Sequence, residues 1–67
     1  MNNKLQVKIL EYLDRKTTAI ETQLIGFLIT EGYCKPYIEL SIKTLKDNGE
    51  VYKVGNILSL TVNKVQL

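Results

Sequence analysis

The side chains able to do chemistry in this 67-residue chain are few: one thiol (Cys34), seven Asp and Glu, four tyrosines, nine Lys and Arg, and no histidine. Nucleophilic or acid–base catalysis needs a nucleophile beside a base, or carboxylates sharing one site. No serine stands near a base, no glycine-rich phosphate loop follows a strand, and no carboxylates pair clearly. Glu21 reads as a helix cap, Glu11 as the i,i+4 partner of Arg15, and Glu31 and Glu50 fall near element ends. The chain therefore reads as a protein that is not an enzyme. One thiol without histidine leaves a structural zinc site unsupplied, so neither metal nor cofactor is expected. Cys34 has no basic pattern beside it and reads as a small, partly buried residue or weak helix cap. A lone cysteine cannot close an internal disulfide, which fits a reducing compartment.

What remains is recognition chemistry. The net charge is only +2, and the pI near 8.8 permits a nucleic-acid partner without demanding one. Arg15 is the only arginine, so the planar fork that grips guanine or phosphate in two places is nearly absent. With 45% hydrophobic and 24% charged residues the composition is that of a folded chain. Its length allows a single domain, residues 1–67, with one small core. The opening MNNKLQVK lacks the apolar centre of a signal peptide and no run is long enough to span a membrane, so a cytoplasmic location is expected.

The elements that must position these groups follow from periodicity. Residues 4–16 place Leu5, Ile9, Leu10, Tyr12 and Leu13 on one helical face, with Asn3 as cap. The next stretch, TTAIETQLIGFLITEG, has a strand-like LIGFLI, but Thr18-Ala19-Ile20-Glu21 is a capping-box pattern and Gly32 suits a helix end. As a helix it clusters Ile20, Leu24, Phe27 and Leu28 and leaves Ile25 and Ile29 to widen the apolar arc. Gly26 within it calls for a close approach, most simply by another helix. KPYIELSIKTLKDNG forms a third helix, opened by Pro36 and ended at Asn48-Gly49, with Ile38, Ile42 and Leu45 inward. VYKVGNILSL then reads as a hairpin about Gly55-Asn56. Its register pairs Val54 with Ile57 and Tyr52 with Ser59 on one face, Lys53 with Leu58 and Val51 with Leu60 on the other. The second face, continued by Val62, is the one expected to pack on the helices.

KILEYL, the threonine-capped AIETQLIGFL, Ile38-x3-Ile42-x2-Leu45-x3-Gly49-x-Val51, and the returning Gly55 and Leu58-x-Leu60-Thr61 together resemble a winged-helix (winged helix-turn-helix) domain over nearly the whole chain. The resemblance implies an α+β, mostly α fold of three helices followed by a C-terminal β-hairpin wing. It also implies double-stranded DNA as partner, with the third helix in the major groove and the wing beside it. That role would make the chain a transcriptional or replication regulator.

On that expectation the outward side of the third helix carries the contact. Lys43 and Thr44 suit phosphate or base edges, Tyr37 a phosphate, Lys35 the helix start where N–H groups favour an anion, and Leu40 an apolar contact. Lys53 and Asn56 at the wing tip are supporting candidates. Against them stand the acidic Glu39 and Asp47, the apolar character of Leu40 and the lack of arginine, asparagine or glutamine mid-face, and the same lysines also read as ordinary solvated ones. Gly55-Asn56 also reads as a turn pair and nothing more. Ile25 and Ile29 are the candidate seam of a homodimer, which would present two recognition helices to a pseudo-palindromic site. The alternative is a protein-binding module acting through Tyr37, Leu40, Val54 and Ile57 without DNA.

Overall fold

Leu5, Ile9 and Leu13 recur at the spacing of one helical stripe, and all three are fully buried in a computed structural model that describes residues 3–61. They belong to α1 (Asn3–Lys16), which begins at Asn3 itself; any cap there lies outside the described residues. After it come β1 (Thr18–Ile20), α2 (Glu21–Thr30), α3 (Lys35–Asp47), β2 (Val51–Val54) and β3 (Ile57–Leu60). Three helices followed by an antiparallel hairpin is the topology of a winged helix-turn-helix. The expected Val62 continuation and the tail after it lie outside the described residues.

The hairpin has the predicted register, Val51↔Leu60, Tyr52↔Ser59, Lys53↔Leu58 and Val54↔Ile57. At its turn Gly55 has φ of +63°, while Asn56 is not among the residues of positive φ. A positive φ at the first central position alone is the type II′ arrangement, which matches the twist of paired strands. Val51 and Leu58 face the helices and are buried, with Leu60 half-buried beside them.

β1 is the element that the sequence did not announce. It pairs antiparallel with β3 through Thr18↔Ser59, Ala19↔Leu58 and Ile20↔Ile57, giving a sheet of order β1-β3-β2. This overturns the capping box at Thr18. The N-cap is Ile20, in extended geometry (φ −76°, ψ 126°), with no side-chain cap. Backbone paired in a ladder cannot also curl into a first helical turn. The orphaned N–H of Glu21 donates instead to the Asn56 carbonyl at 2.7 Å, so the wing turn caps α2. Once Ile20 sits in a strand, the helical arrangement that clustered it with Leu24 and Phe27 no longer applies. Ile20 and Phe27 are exposed, and α2 buries Leu24, Ile25 and Leu28.

Both later helices end as Gly32 and Gly49 suggest. Gly32 N–H donates to Ile29 and Tyr33 N–H to Leu28, while Gly49 N–H donates to Lys46 and Glu50 N–H to Leu45. That doubled pattern is a Schellman motif, and both glycines have the positive φ it needs. The expected Glu11–Arg15 pair is not among the ion pairs of the described residues. Lys8 instead binds Glu31 at 3.0 Å, tying α1 to the end of α2, and this hydrogen-bonded carboxylate raises the lysine above its ordinary pKa. The rings of Tyr12 of α1 and Phe27 of α2 meet at a tilt of 38°, with centroids 5.2 Å apart.

Two residues sit where a different side chain would serve stability better. Thr17, just past α1, has φ of +73°, a conformation costing a non-glycine residue about 1–2 kcal/mol. Gly26 does not accommodate a close helix, because a Cβ there meets nothing within 4 Å. Thr17→Gly and Gly26→Ala are each expected to stabilise the fold by about 1 kcal/mol. In thermal melts each should raise Tm by about 4–8 °C; an unchanged or lowered Tm would refute the assignment of strain or open space.

Candidate nucleic-acid interface

α3 buries Ile38, Ser41, Ile42 and Leu45 against the core. That packing turns Tyr37, Leu40 and Lys43 to solvent, with Leu40 58% exposed and Thr44 half-buried at the margin. Tyr37, Leu40, Lys43 and Thr44 therefore share one outward strip, while Lys35 sits to its side at the helix start. Its chemistry is more self-satisfied than the residue types suggested. Lys43 Nζ lies 2.9 Å from Asp47 Oδ2, one helical turn on, with the two side chains 66% and 64% exposed. The Thr44 hydroxyl donates to the Leu40 carbonyl at 3.0 Å. A phosphate only accepts, so Thr44 must give up that bond before it can hold one.

Lys35, exposed at the first position of α3, forms no ion pair among the described residues. The helix start around it is a poorer anion site than its position implies. Pro36 carries no N–H, and the Ile38 N–H already donates to Cys34. Cys34 occupies the N-cap position without a side-chain cap bond and is exposed, not partly buried.

The wing tip departs furthest from expectation. Lys53 lies on the sheet face that carries Leu58, and its Nζ reaches Glu21 Oε1 at 3.0 Å. Those side chains are only 31% and 21% exposed, so this pair is better shielded than Lys43–Asp47. Asn56 meanwhile gives its carbonyl to the Glu21 N–H. Both supporting candidates thus latch the hairpin to the start of α2. By local pattern alone Glu21 belongs to a capping box with Thr18. The β-branched Thr17-Thr18 and Ile20 preceding the helix were the available signal that a strand stood there.

The expected dimer seam is divided. Ile25 is 8% exposed and part of the core cluster, while Ile29 is exposed. The inward turn of α2 that excludes Ile20 brings Ile25 in. No single surface of one chain therefore presents both.

A shallow cleft of about 310 Å³ opens between the end of α1 and the sheet, lined by Leu13, Asp14, Thr17, Thr18, Tyr52, Ser59 and Leu60. Asp14 is its one carboxylate, with no second acid or base to share a proton. Among the described residues no three His, Cys, Asp or Glu side chains could jointly hold a metal ion. No described helix is long and apolar enough to cross a membrane.

No protein-family model, curated protein or solved structure matches this chain.

The two lysine pairs differ in a measurable way. A double-mutant cycle with Lys53→Ala and Glu21→Ala is expected to give a coupling of about 1 kcal/mol in urea unfolding, against less than about 0.5 kcal/mol for Lys43 and Asp47. Equal couplings would mean that Lys53 is as free as Lys43.

Proposed function

We propose that this chain is a small DNA-binding protein, a cytoplasmic regulator of transcription or replication, that lays the outward face of α3 in the major groove. One observation carries the reading. The strip holding Tyr37, Leu40 and Lys43 is exposed on a helix whose other side is locked in the core, with Lys35 exposed at the helix start. A helix so held on a three-helix platform with a hairpin beside it has the shape that fits a groove.

The charge balance sets how such binding would behave. From Lys35 to Asn56 four lysines stand against three carboxylates, so steering toward DNA is weak. Lys43 must exchange Asp47 for a phosphate. At this exposure that exchange is inexpensive, because surface pairs contribute about 0.2–1 kcal/mol. Lys53 takes little part, being held by Glu21. The wing supports α3 and does not itself read DNA.

A second reading, a protein-binding module indifferent to DNA, is favoured by Leu40, Val54 and Ile57, all apolar and exposed.

An NMR titration with mixed-sequence duplex at low salt separates the two, with amides of residues 35–46 expected to shift and the response to fade steeply as salt rises. Lys43→Ala should weaken binding and reduce the salt slope by about 1. Asp47→Asn should tighten binding by up to about fivefold, by freeing Lys43 and removing a charge that repels phosphate. Lys53→Ala should leave affinity nearly unchanged. Silence of residues 35–46 at low salt would reject DNA binding and leave the protein-binding module.

A further inference from the structure

The sheet has two faces of opposite character. Ala19, Leu58, Val51 and Leu60 point to the helices. Side chains directly opposite in an antiparallel ladder share a face, and alternate residues along a strand return to it. The register therefore gathers Thr18, Ile20, Tyr52, Val54, Ile57 and Ser59 on the outer face. Ile20, Ile57 and Val54 form one continuous row across the three strands, with Val54 68% exposed and the other two nearly half. Tyr52 lies beside them and is also exposed.

None of those residues is charged, in a chain where 24% of residues are. Charge decides what can cover such a face. A duplex would meet no cation there, and a minor-groove contact would find aliphatic side chains where arginine is favoured. A two-fold contact sets a patch against itself, residue i on j and j on i, so the patch must complement its own copy. An uncharged aliphatic face does so with no ion to strip of water, whereas the α3 strip would have to desolvate Lys43 and Asp47. Four side chains about half exposed present a few hundred Å², roughly the largest apolar patch a monomer carries. A stable interface takes about 800 Å² from each partner, so the association is a weak one.

We infer that the outer face of the sheet is a self-association surface, on which the row of Ile20, Val54 and Ile57 packs against the same row of a second copy. Of the described helices only the end of α1, through Leu13 and Asp14, borders the Thr18, Tyr52 and Ser59 end of this face, and α3 packs on the other, so the contact leaves α3 uncovered and does not depend on DNA. It also supplies apolar burial that a core of this size lacks.

Sedimentation of the full chain between micromolar and millimolar concentration tests this. The average mass is expected to rise from 7.7 kDa toward twice that value. A parallel ¹⁵N dilution series should move amides of residues 18–20 and 52–59. Val54→Lys should weaken association by about tenfold or more, since it buries an unpaired charge in an apolar contact. Val54→Thr, which keeps β-branching and the hairpin, should weaken it less, and unchanged circular dichroism certifies the fold of each variant. A monomer at every concentration overturns the inference, as does association that survives Val54→Lys or maps to α3 or Ile29. Intramolecular contacts from residues 62–67 to Ile57 at the lowest concentration would show the face already covered, and duplex DNA moving it without any dilution effect would assign it to DNA; either overturns the inference.

Discussion

The N–H of Glu21 has no side chain to receive it, and the wing turn supplies the acceptor. That bond, Glu21 N–H to Asn56 carbonyl at 2.7 Å, stands beside the β1–β3 ladder and the Lys53–Glu21 ion pair. Together they fasten the hairpin to the helices at a point distant in sequence. Beneath them Leu58 is fully buried, a side chain contributing about 1.5–3 kcal/mol by leaving water. The polar contacts add less energy than this, but they set direction. They fix how the hairpin, with its apolar face already turned to the core, sits against the start of α2.

The surface follows from that arrangement. Lys53, which in an isolated hairpin would wave free, is folded inward to a carboxylate. The outer row is left aliphatic. The helix that remains available, α3, offers lysine and hydroxyl groups that already have partners within one turn. On the proposed reading such an interface would work by exchange of partners, and exchange among exposed groups is cheap and salt-sensitive. A net charge of only +2 and paired lysines give the surface little general attraction for polyanions.

The small core has little margin, and the strained and open positions show how the fold tolerates this. Thr17 takes a left-handed conformation so that the chain can leave α1 and enter β1 within a single residue, with its N–H donating to the Leu13 carbonyl at 2.7 Å. Gly26 lies on the solvent side of α2 with no neighbour to excuse it. These are local concessions that packing elsewhere must outweigh, as expected where stability is a small difference between large terms.

The sequence by itself determined what short-range physics can decide. The stripe of Leu5, Ile9 and Leu13, the inward Ile38, Ile42 and Leu45, the helix stops at Gly32 and Gly49, and the hairpin register about Gly55 all depend on neighbours a few residues away. Tertiary structure alone decided the fate of Thr18 to Glu21. Their local pattern suits a helix cap, but a ladder with β3, nearly forty residues on, uses the same backbone groups. From that one switch follow the exposure of Ile20, the burial of Ile25 and the capture of Lys53 by Glu21. Cys34 and the Glu11–Arg15 spacing teach the same lesson on a smaller scale. A residue's type sets what it can bond, and only the packed chain sets what is near enough to accept.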